Sequence, residues 1–353
     1  MLQRKMPVEC HILCYADDTL VVALGNSMEE ASVRVELGVA LVVKVILVRG
    51  TPVPVDTSLK YLGLTLNRTW SFSEHFARVL PAAERMSLAL ARLMPNLRGP
   101  NEFSRRLYCA VIHSVIFYDA PVWAPTLSSN RRVVRKICAV QRRVALRVIA
   151  AYRTVSYQAA FLLARVIPVE FLADRYRRVF LDTREIQGRD IPVTNRMYAR
   201  IREGALEAAL DAWAEACGRP SPTAVELRGA LIPVLARWYG RSHGHLTYRM
   251  TQMLTGHGCF RSFLLRIGKV PHGNCVFCGD PIDSNVHTLR SCPACNTERE
   301  ELVGTVDPDL DLRTVICSIL ESREKKKEDE RARQARVIVE SDDEGISEDE
   351  EDD

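Results

Sequence analysis

The chain has 353 residues, of which 47% are hydrophobic and 26% are charged. This composition is ordinary for a globular protein, and the length is sufficient for at least one sizeable core and for two or three domains. The number of cysteines is odd, 11 in the whole chain, which argues against a secreted disulfide framework and favours a reducing compartment.

The net charge of +4 conceals an uneven distribution. Residues 340–353 contain ten acidic and no basic side chains, so the rest of the chain carries a net charge of +14. A basic body is typical of proteins that bind a polyanion such as nucleic acid. Residues 322–353 are dense in charge and nearly free of apolar side chains, and we expect them to form a disordered, charged and finally acidic tail.

Neither export nor membrane insertion is expected. The apolar stretch near the N-terminus is too short for a signal peptide and leads directly into Asp17 and Asp18. The most apolar run, residues 38–48, is interrupted by Lys44 and is well short of the roughly 20 residues that span a bilayer. We therefore expect a soluble, intracellular protein, nuclear and cytoplasmic, that is not secreted and does not contact a membrane.

The first predicted element is a β-hairpin that carries two adjacent carboxylates. Short apolar runs at residues 11–14 and 19–24 flank Asp17 and Asp18, and Asp-Asp-Thr is typical of a turn. Carboxylates at the tip of a hairpin supply hard oxygen ligands for the two divalent ions of phosphoryl transfer. Because successive strand side chains point to opposite faces, we predict Asp17 as the direct magnesium ligand and Asp18 as a less direct one. A solvated Asp-Asp turn is the alternative.

Residues 73–180 are predicted to form several helices, with breaks at residues 96–101 and 124–130. The clearest helix covers residues 130–150, with valine and isoleucine on one side and cations, almost without acidic neighbours, on the other. Such a face suits a phosphate backbone, to which arginine donates paired hydrogen bonds; a merely soluble surface is the alternative. The predicted nucleic-acid-binding residues are Arg131, Arg132, Arg135, Lys136, Arg142, Arg143, Arg147 and Arg153.

The surrounding segments carry less chemical information. Four aromatic side chains are predicted to lie in the core rather than to stack on bases: Tyr152, Tyr157, Phe161 and Tyr176. Residues 193–216 have helical periodicity, residues 218–222 resemble a linker, and residues 224–239 are expected to be a helix interrupted at Pro233. We expect His243 and His245 to belong to a loop without a ligand role.

A cluster of cysteine and histidine near the C-terminus has the spacing of a metal site. Cys275, Cys278, His287 and Cys292 follow the pattern Cys-x2-Cys-x8-His-x4-Cys, which is typical of a closed tetrahedral zinc site. Four protein ligands leave no open position, so the predicted zinc is structural and supplies folding free energy to a segment with few apolar residues. Cys295 is an alternative ligand, because residues 292–295 form a second Cys-x2-Cys pair.

Several of these segments, in this order, resemble the reverse transcriptases of non-LTR (LINE-type) retrotransposons. Residues 15–18, Tyr-Ala-Asp-Asp, are similar to the catalytic palm hairpin, and residues 58–66, Ser-Leu-Lys-Tyr-Leu-Gly-Leu-Thr-Leu, to the primer-grip hairpin. The zinc knuckle is matched by residues 255–260 together with the cysteine and histidine cluster. The thumb is matched by residues 93–96, 119–123, 141–143 and 151–156. The resemblance extends from about residue 10 to about residue 292.

The resemblance implies an RNA-directed DNA polymerase, a nucleotidyltransferase, with Asp17 and Asp18 as magnesium ligands and RNA and DNA as template and primer. It favours His287 over Cys295 as the fourth zinc ligand.

The chain departs from the family at Lys44, which is followed by valine rather than threonine, and at Asp119, where the family has a small residue. Because only 16 residues precede Asp17, we expect no counterpart of the family's upstream carboxylate and fingers in this sequence.

We therefore expect the C-terminal part of such an enzyme, without the nuclease that lies C-terminal in some relatives. It should be unable to polymerise unaided unless another chain supplies the N-terminal polymerase part. A non-catalytic, zinc-containing nucleic-acid-binding module and a protein interaction adaptor remain as alternatives.

The expected fold class is α+β. The predicted domains are a partial palm at 1–70, a helical basic thumb at 71–180, a helical connector at 181–254, the zinc knuckle at 255–300, a short helix at 301–321 and the tail at 322–353.

Overall fold

The computed structural model describes residues 10–15, 18–27, 29–31, 33–35, 47–48, 51–52, 58–304 and 309–321. Asp17 and the acidic tail lie outside the described residues, and so does the Lys44 position. Within the described part, three separate two-stranded antiparallel sheets precede a predominantly helical body, which confirms the α+β class. No single described helix has the length and apolar composition to cross a membrane, although the bent pair Glu102–Ile116 and Ala120–Thr126 has both when its two parts are taken together.

The strands form three hairpins in chain order. The strands are β1 Cys10–Tyr15, β2 Asp18–Ala23, β3 Leu47–Val48, β4 Thr51–Pro52, β5 Ser58–Tyr61 and β6 Leu64–Asn67. Tyr15 pairs with Asp18 in the first hairpin. The predicted hairpin is thus confirmed, but the prediction that both aspartates belong to its turn is wrong for Asp18, which begins β2.

The third hairpin is fixed at its tip by the helical body. Leu62 and Gly63 join β5 to β6 with φ angles of 43° and 90°, the two positive values of a turn that suits the twist of a hairpin. The Tyr118 hydroxyl donates to the Leu62 carbonyl at 3.0 Å, and Arg78 donates to the Gly63 carbonyl at 2.7 Å. This hairpin is the segment that resembles the primer grip.

Fourteen helices, counted within the described residues, follow the strands. The first seven are α1 Ser73–Ala91, α2 Glu102–Ile116, α3 Ala120–Trp123, α4 Arg131–Val148, α5 Tyr157–Ala164, α6 Val169–Gln187 and α7 Asn195–Gly218. The others are α8 Val225–Leu231, α9 Leu235–Gly240, α10 Tyr248–Thr255, α11 Arg261–Arg266, α12 Asn285–Arg290, α13 Asn296–Val303 and α14 312–321. The helix breaks predicted near residues 96–101, 124–130 and Pro233 are confirmed.

The core forms where α1, α2 and α4 pack against one another and α5 packs against α4. Val133, Ile137, Val140 and Val144 are buried along one side of α4 at the spacing of a helix face. They join one continuous apolar cluster that includes Trp123, whose ring centre lies 5.0 Å from that of Phe76. Burial of this face orients α4, because the opposite side must then face solvent.

A buried ion cluster ties distant parts of the chain together. The Glu102 carboxylate, fully buried at the start of α2, accepts hydrogen bonds from Arg165 at 3.0 Å and from Arg241 at 2.6 Å. It also accepts a hydrogen bond from the Leu246 backbone N–H at 2.8 Å. Arg241 stacks 3.8 Å above the ring centre of Trp238. One carboxylate thus joins the segment after α5 and the loop after α9 to α2.

Candidate functional site

The predicted zinc ligands converge in the structure. The ligand atoms of Cys275, Cys278, His287 and Cys292 all lie within 4.8 Å of one another. The sulfurs of Cys275 and Cys292 are 3.9 Å apart, close to the distance of about 3.8 Å between two thiolates that each lie about 2.3 Å from a tetrahedral zinc ion. The donor set and its geometry therefore fit a metal ion such as zinc.

Local backbone structure places these ligands. The Gly279 N–H donates to the Cys275 carbonyl at 3.0 Å, and the Cys275 N–H donates to the Asp280 carbonyl at 2.8 Å, which closes a tight knuckle. Gly279 has a φ of +79°, which favours glycine. The Ser284 hydroxyl accepts from the His287 N–H at 3.1 Å and caps α12, so that this helix presents His287 to the knuckle.

The environment of Cys275 favours its thiolate form, which is the form that binds a metal ion. Burial raises the pKa of the Cys275 thiol, but backbone N–H groups of Phe277 and Cys278 lower it, and the resulting pKa is about 7. His287 Nε2 lies 3.3 Å from the Cys278 sulfur, while Nδ1 lies 3.7 Å from the Asp280 carboxylate. A carboxylate behind a ligating histidine holds the ring in the orientation that a metal requires.

The predictions of Cys295 as an alternative zinc ligand and of Asp17 and Asp18 as magnesium ligands have different outcomes. Cys295 lies in the 3₁₀ turn Pro293–Cys295, outside the group of four, and is half-buried. Asp17 and the side chain of Asp18 lie outside the described residues. The magnesium site therefore stays a prediction, whereas the cysteine and histidine cluster has a geometry that can be tested.

The basic face of α4 is exposed along most of its length. Asn130 caps its N-terminus and accepts a hydrogen bond from the Val133 N–H at 3.2 Å, and the same side chain donates to the Ser73 hydroxyl at 2.9 Å. Five cations of this face form no ion pair with any carboxylate of the described residues. They are Arg131, Arg132, Arg135, Lys136 and Arg147, all exposed.

Two of the predicted binding residues have structural partners. Arg142 is half-buried and donates to the carbonyls of Arg153 and Val155 at 2.7 and 2.6 Å, which fixes the chain after the helix. Arg143 pairs with Glu84 of α1 at 2.6 Å. The sequence of α4 itself contains no acidic residue, as predicted, and the carboxylate that pairs with Arg143 comes from α1. The Arg153 side chain is exposed.

The prediction for the four aromatic residues is correct for two of them. Phe161 is fully buried, and Tyr157 stacks on it with ring centres 4.1 Å apart. Tyr152 and Tyr176 are 36% and 39% exposed, so their assignment to the core is wrong. Tyr152 lies at the surface next to Tyr248, whose hydroxyl is 2.7 Å from its own.

A bridge between the basic helix and the metal cluster could not be anticipated from the sequence. His257 Nδ1 lies 3.0 Å from the Thr154 hydroxyl, and the Arg266 guanidinium lies 3.1 Å from Nε2. Burial, and then the charge of Arg266, lower the pKa of His257 to about 4, so the ring is neutral at pH 7. The Thr251 hydroxyl also donates to the Ile149 carbonyl at 2.7 Å. The segment after α4 is therefore attached to the segment before the cluster.

Comparison with known proteins finds relatives among the proteins of retrotransposable elements. The chain is 27% identical over 363 residues to a 115 kDa protein in the type-1 retrotransposable element R1DM of Drosophila melanogaster, covering 92% of the chain and 35% of that protein. It is 24% identical over 288 residues to the retrovirus-related Pol polyprotein from type-1 retrotransposable element R1 4 of Nasonia vitripennis, covering 78% of the chain and 70% of that protein. The chain is related to R1-type non-LTR retrotransposon proteins.

This R1-related chain matches no protein-family model and no solved structure. It spans about a third of the length of its Drosophila relative and 70% of its Nasonia relative. The first of these alignments covers 92% of the chain, so the relationship is not confined to one motif. The expected resemblance to a LINE-type retrotransposon protein is confirmed at this level.

Proposed function

We propose that the R1-related chain holds the template and primer strands of a reverse transcriptase, with the basic face of α4 lying along a phosphate backbone. The observation that carries this proposal is the row of five exposed cations on α4 without an ion pair in the described residues. Each phosphate that such a side chain neutralises releases counterions, so the affinity is largely independent of sequence and depends strongly on salt.

The position of these cations on the helix favours a role in binding a ligand over a role in solubility alone. Arg131 and Arg132 are the first two residues of α4, whose first turn has no acidic side chain. Cations there oppose the helix dipole, at a cost of roughly 0.3 to 1 kcal/mol each. Solubility could be achieved with cations at the other end of the helix at no such cost. A bound polyanion would offset the repulsion.

The cysteine and histidine cluster is proposed to hold a structural zinc ion. Cys275, Cys278, His287 and Cys292 would be its four ligands, which leaves no position for a substrate. Zinc supplies folding free energy here rather than chemistry. Through the contact between His257 and Thr154, the module supports the chain that follows α4. It is thereby placed to extend the surface for RNA or DNA.

A salt titration tests the proposed interface. We expect Arg131→Gln, Arg132→Gln and Arg135→Gln together to reduce the slope of log affinity against log salt by about two to three, because each phosphate contact contributes about 0.7 to 0.9. The measurement is fluorescence anisotropy of a labelled RNA template with a DNA primer, at potassium chloride concentrations from about 50 to 200 mM.

A matched control uses three exposed arginines of α7: Arg196, Arg200 and Arg202. Their replacement by glutamine removes the same charge and should change the slope by less than one. Equal effects of the two triple variants would show that binding depends on net charge and not on α4. Weak binding without any salt dependence in the unaltered chain would instead favour the protein interaction adaptor.

The second part of the proposal is RNA-directed DNA polymerase activity with magnesium at Asp17 and Asp18. It is supported by the antiparallel hairpin that brings Tyr15 opposite Asp18 and by the relationship to a Pol polyprotein. The two carboxylates would hold the ions that activate the primer hydroxyl and stabilise the leaving oxygen. A partner chain that completes the polymerase is compatible with this role. A non-catalytic nucleic-acid-binding module is the alternative.

A primer-extension assay decides between polymerase activity and the non-catalytic module. In an assay that also contains a chain supplying the N-terminal polymerase part, Asp17→Asn should reduce magnesium-dependent extension on an RNA template by more than about 100-fold, because even outer partners of metal ligands cost about 10- to 100-fold. Asp182→Asn, at an exposed position of α6, should leave extension unchanged, and neither substitution should alter template binding. Extension that persists in Asp17→Asn would contradict the assignment. Extension that is absent from the unaltered chain, with template still bound, would favour the non-catalytic module.

A further inference from the structure

A cavity of about 240 Å³ lies between α2 and α6, and none of the described residues that line it belongs to α4. The chain between α5 and α6 forms its floor, and Tyr239 of α9 completes the wall. Arg106 and Arg175 project from the two helices into its lining. None of the described residues that line it is acidic. The cavity therefore has cations in its walls and no carboxylate opposite them.

The buried ion cluster beside the cavity does not balance this charge. Glu102 is the one carboxylate shared by the guanidinium groups of Arg165 and Arg241. Burial lowers the pKa of Arg165 to about 10, and the charges of Arg241 and Arg106 contribute to this shift. Arg165 itself lines the cavity. Arg165 and Arg241 thus share a single carboxylate while the charge of Arg106 also acts on Arg165, and a buried charge without a counter-charge is costly.

The other titratable groups of the cavity supply no negative charge either. Burial raises the pKa of the Cys109 thiol to about 12, so the thiol stays protonated. Burial, and then the charge of Arg106, lower the pKa of His113 to about 4, so its ring is neutral at pH 7. The excess positive charge is therefore not removed by ionisation of a neighbouring side chain in the lining.

Hydrogen-bond donors in the cavity remain available. Arg175 Nε is shielded from solvent and has no hydrogen-bond partner among the described residues. Arg106 uses one terminal nitrogen, Nη1, for the carbonyls of Ala164 and Arg165, at 2.9 and 3.3 Å. A guanidinium has five N–H donors in a planar fork that fits phosphate oxygens. An oxyanion is an acceptor that would match these donors.

We propose that this cavity binds a phosphate group, either as inorganic phosphate or as part of a small nucleotide, through Arg106 and Arg175. The volume is below the roughly 300 to 1,000 Å³ of sites for drug-sized ligands, so the phosphate group is the part of the ligand expected to lie inside the cavity. Tyr239, whose ring centre lies 5.9 Å from the Arg106 guanidinium carbon, and the half-exposed Tyr176 offer aromatic surfaces for a base. The proposal goes beyond the nucleic-acid interface and uses no residue of α4.

Isothermal titration calorimetry of the full chain, at low ionic strength in chloride buffer, tests the proposal. Inorganic phosphate and adenosine monophosphate are the two probes. Both should bind, and Arg175→Gln should weaken binding at least 10-fold. Arg177→Gln, on the same helix but outside the cavity, should leave binding unchanged. Tighter binding of the monophosphate would identify a nucleotide as the ligand, and equal binding would identify the phosphate group alone.

A second pair of variants leaves every arginine in place. Ser114 lies at the exposed edge of the cavity, so Ser114→Asp places a carboxylate beside the cations, and Ser114→Asn is its neutral counterpart. The aspartate variant should lose anion binding, whereas the asparagine variant should retain it. Thermal unfolding of all four variants establishes that they are folded. Absence of binding by both probes at millimolar concentration, or equal weakening by Arg175→Gln and Arg177→Gln, would overturn the proposal.

Discussion

Removal of zinc by a chelator should unfold residues 255–304 while the helices from residue 73 to residue 240 stay folded. The ligands Cys275, His287 and Cys292 are buried in a segment of short helices and loops, where apolar burial is limited to a few side chains such as Phe260 and Phe263. Structural zinc in such modules contributes an apparent binding free energy of about 10 to 16 kcal/mol. Hydrogen exchange followed by mass spectrometry should show loss of protection mainly in this segment, with a smaller loss in the chain after α4 that contacts it.

Ligand variants make this prediction specific. Cys275→Ser should reduce the zinc content, measured by mass spectrometry of the purified chain, to well below one ion per molecule. Cys295→Ser is the matched control, because Cys295 is a neighbouring cysteine outside the group of four. It should retain zinc and the same exchange pattern. Equal loss of zinc from both variants would make Cys295 a ligand and would contradict the assignment of His287.

Replacement of Glu102 by glutamine should destabilise the fold by about 3 to 5 kcal/mol, the usual cost of removing one partner from a buried ion pair. The glutamine side chain keeps the size of the carboxylate but leaves Arg165 and Arg241 buried without a counter-charge. It also weakens the acceptor for the Leu246 N–H. Unfolding in urea, followed by circular dichroism, measures the change through the midpoint and the slope.

Glu84→Gln provides the comparison for this effect. Glu84 also pairs with an arginine, Arg143, but both side chains are substantially exposed. Exposed pairs contribute at most about 1 kcal/mol, so this variant should unfold close to the unaltered chain. A similarly small loss for Glu102→Gln would show that water reaches the buried ion cluster and that its charges are compensated by solvent.

Local patterns in the sequence were sufficient to predict α4 and the cysteine and histidine cluster. The apolar positions of α4 recur at helical spacing, so the helix, its buried side and its exposed cations could be predicted without any knowledge of neighbours. The metal cluster could also be predicted, because Cys275 and Cys278 lie in one knuckle and His287 and Cys292 follow closely. In both cases the residues that act together lie within about 20 positions of one another.

Contacts between distant segments could not be predicted in the same way. Glu102 meets Arg165 and Arg241 across 63 and 139 residues, and no local periodicity marks such partners. His257 meets Thr154 across 103 residues. The exposure of Tyr152 and Tyr176 likewise depends on which helix covers each ring. These features depend on how distant segments pack together. That packing cannot be predicted for each position from the pattern of a single sequence.

The contact between His257 and Thr154 has a thermodynamic consequence. It joins the segment proposed to fold with zinc to the chain that follows the basic helix, so the proposed metal binding and the proposed nucleic-acid binding would depend on the same ordered structure. Coupling between two binding sites is reciprocal by necessity. If bound zinc raises the affinity of the chain for a template and primer, then a bound template and primer must raise its affinity for zinc by the same factor. A chain bound to nucleic acid would then bind its metal ion with higher affinity than the free chain.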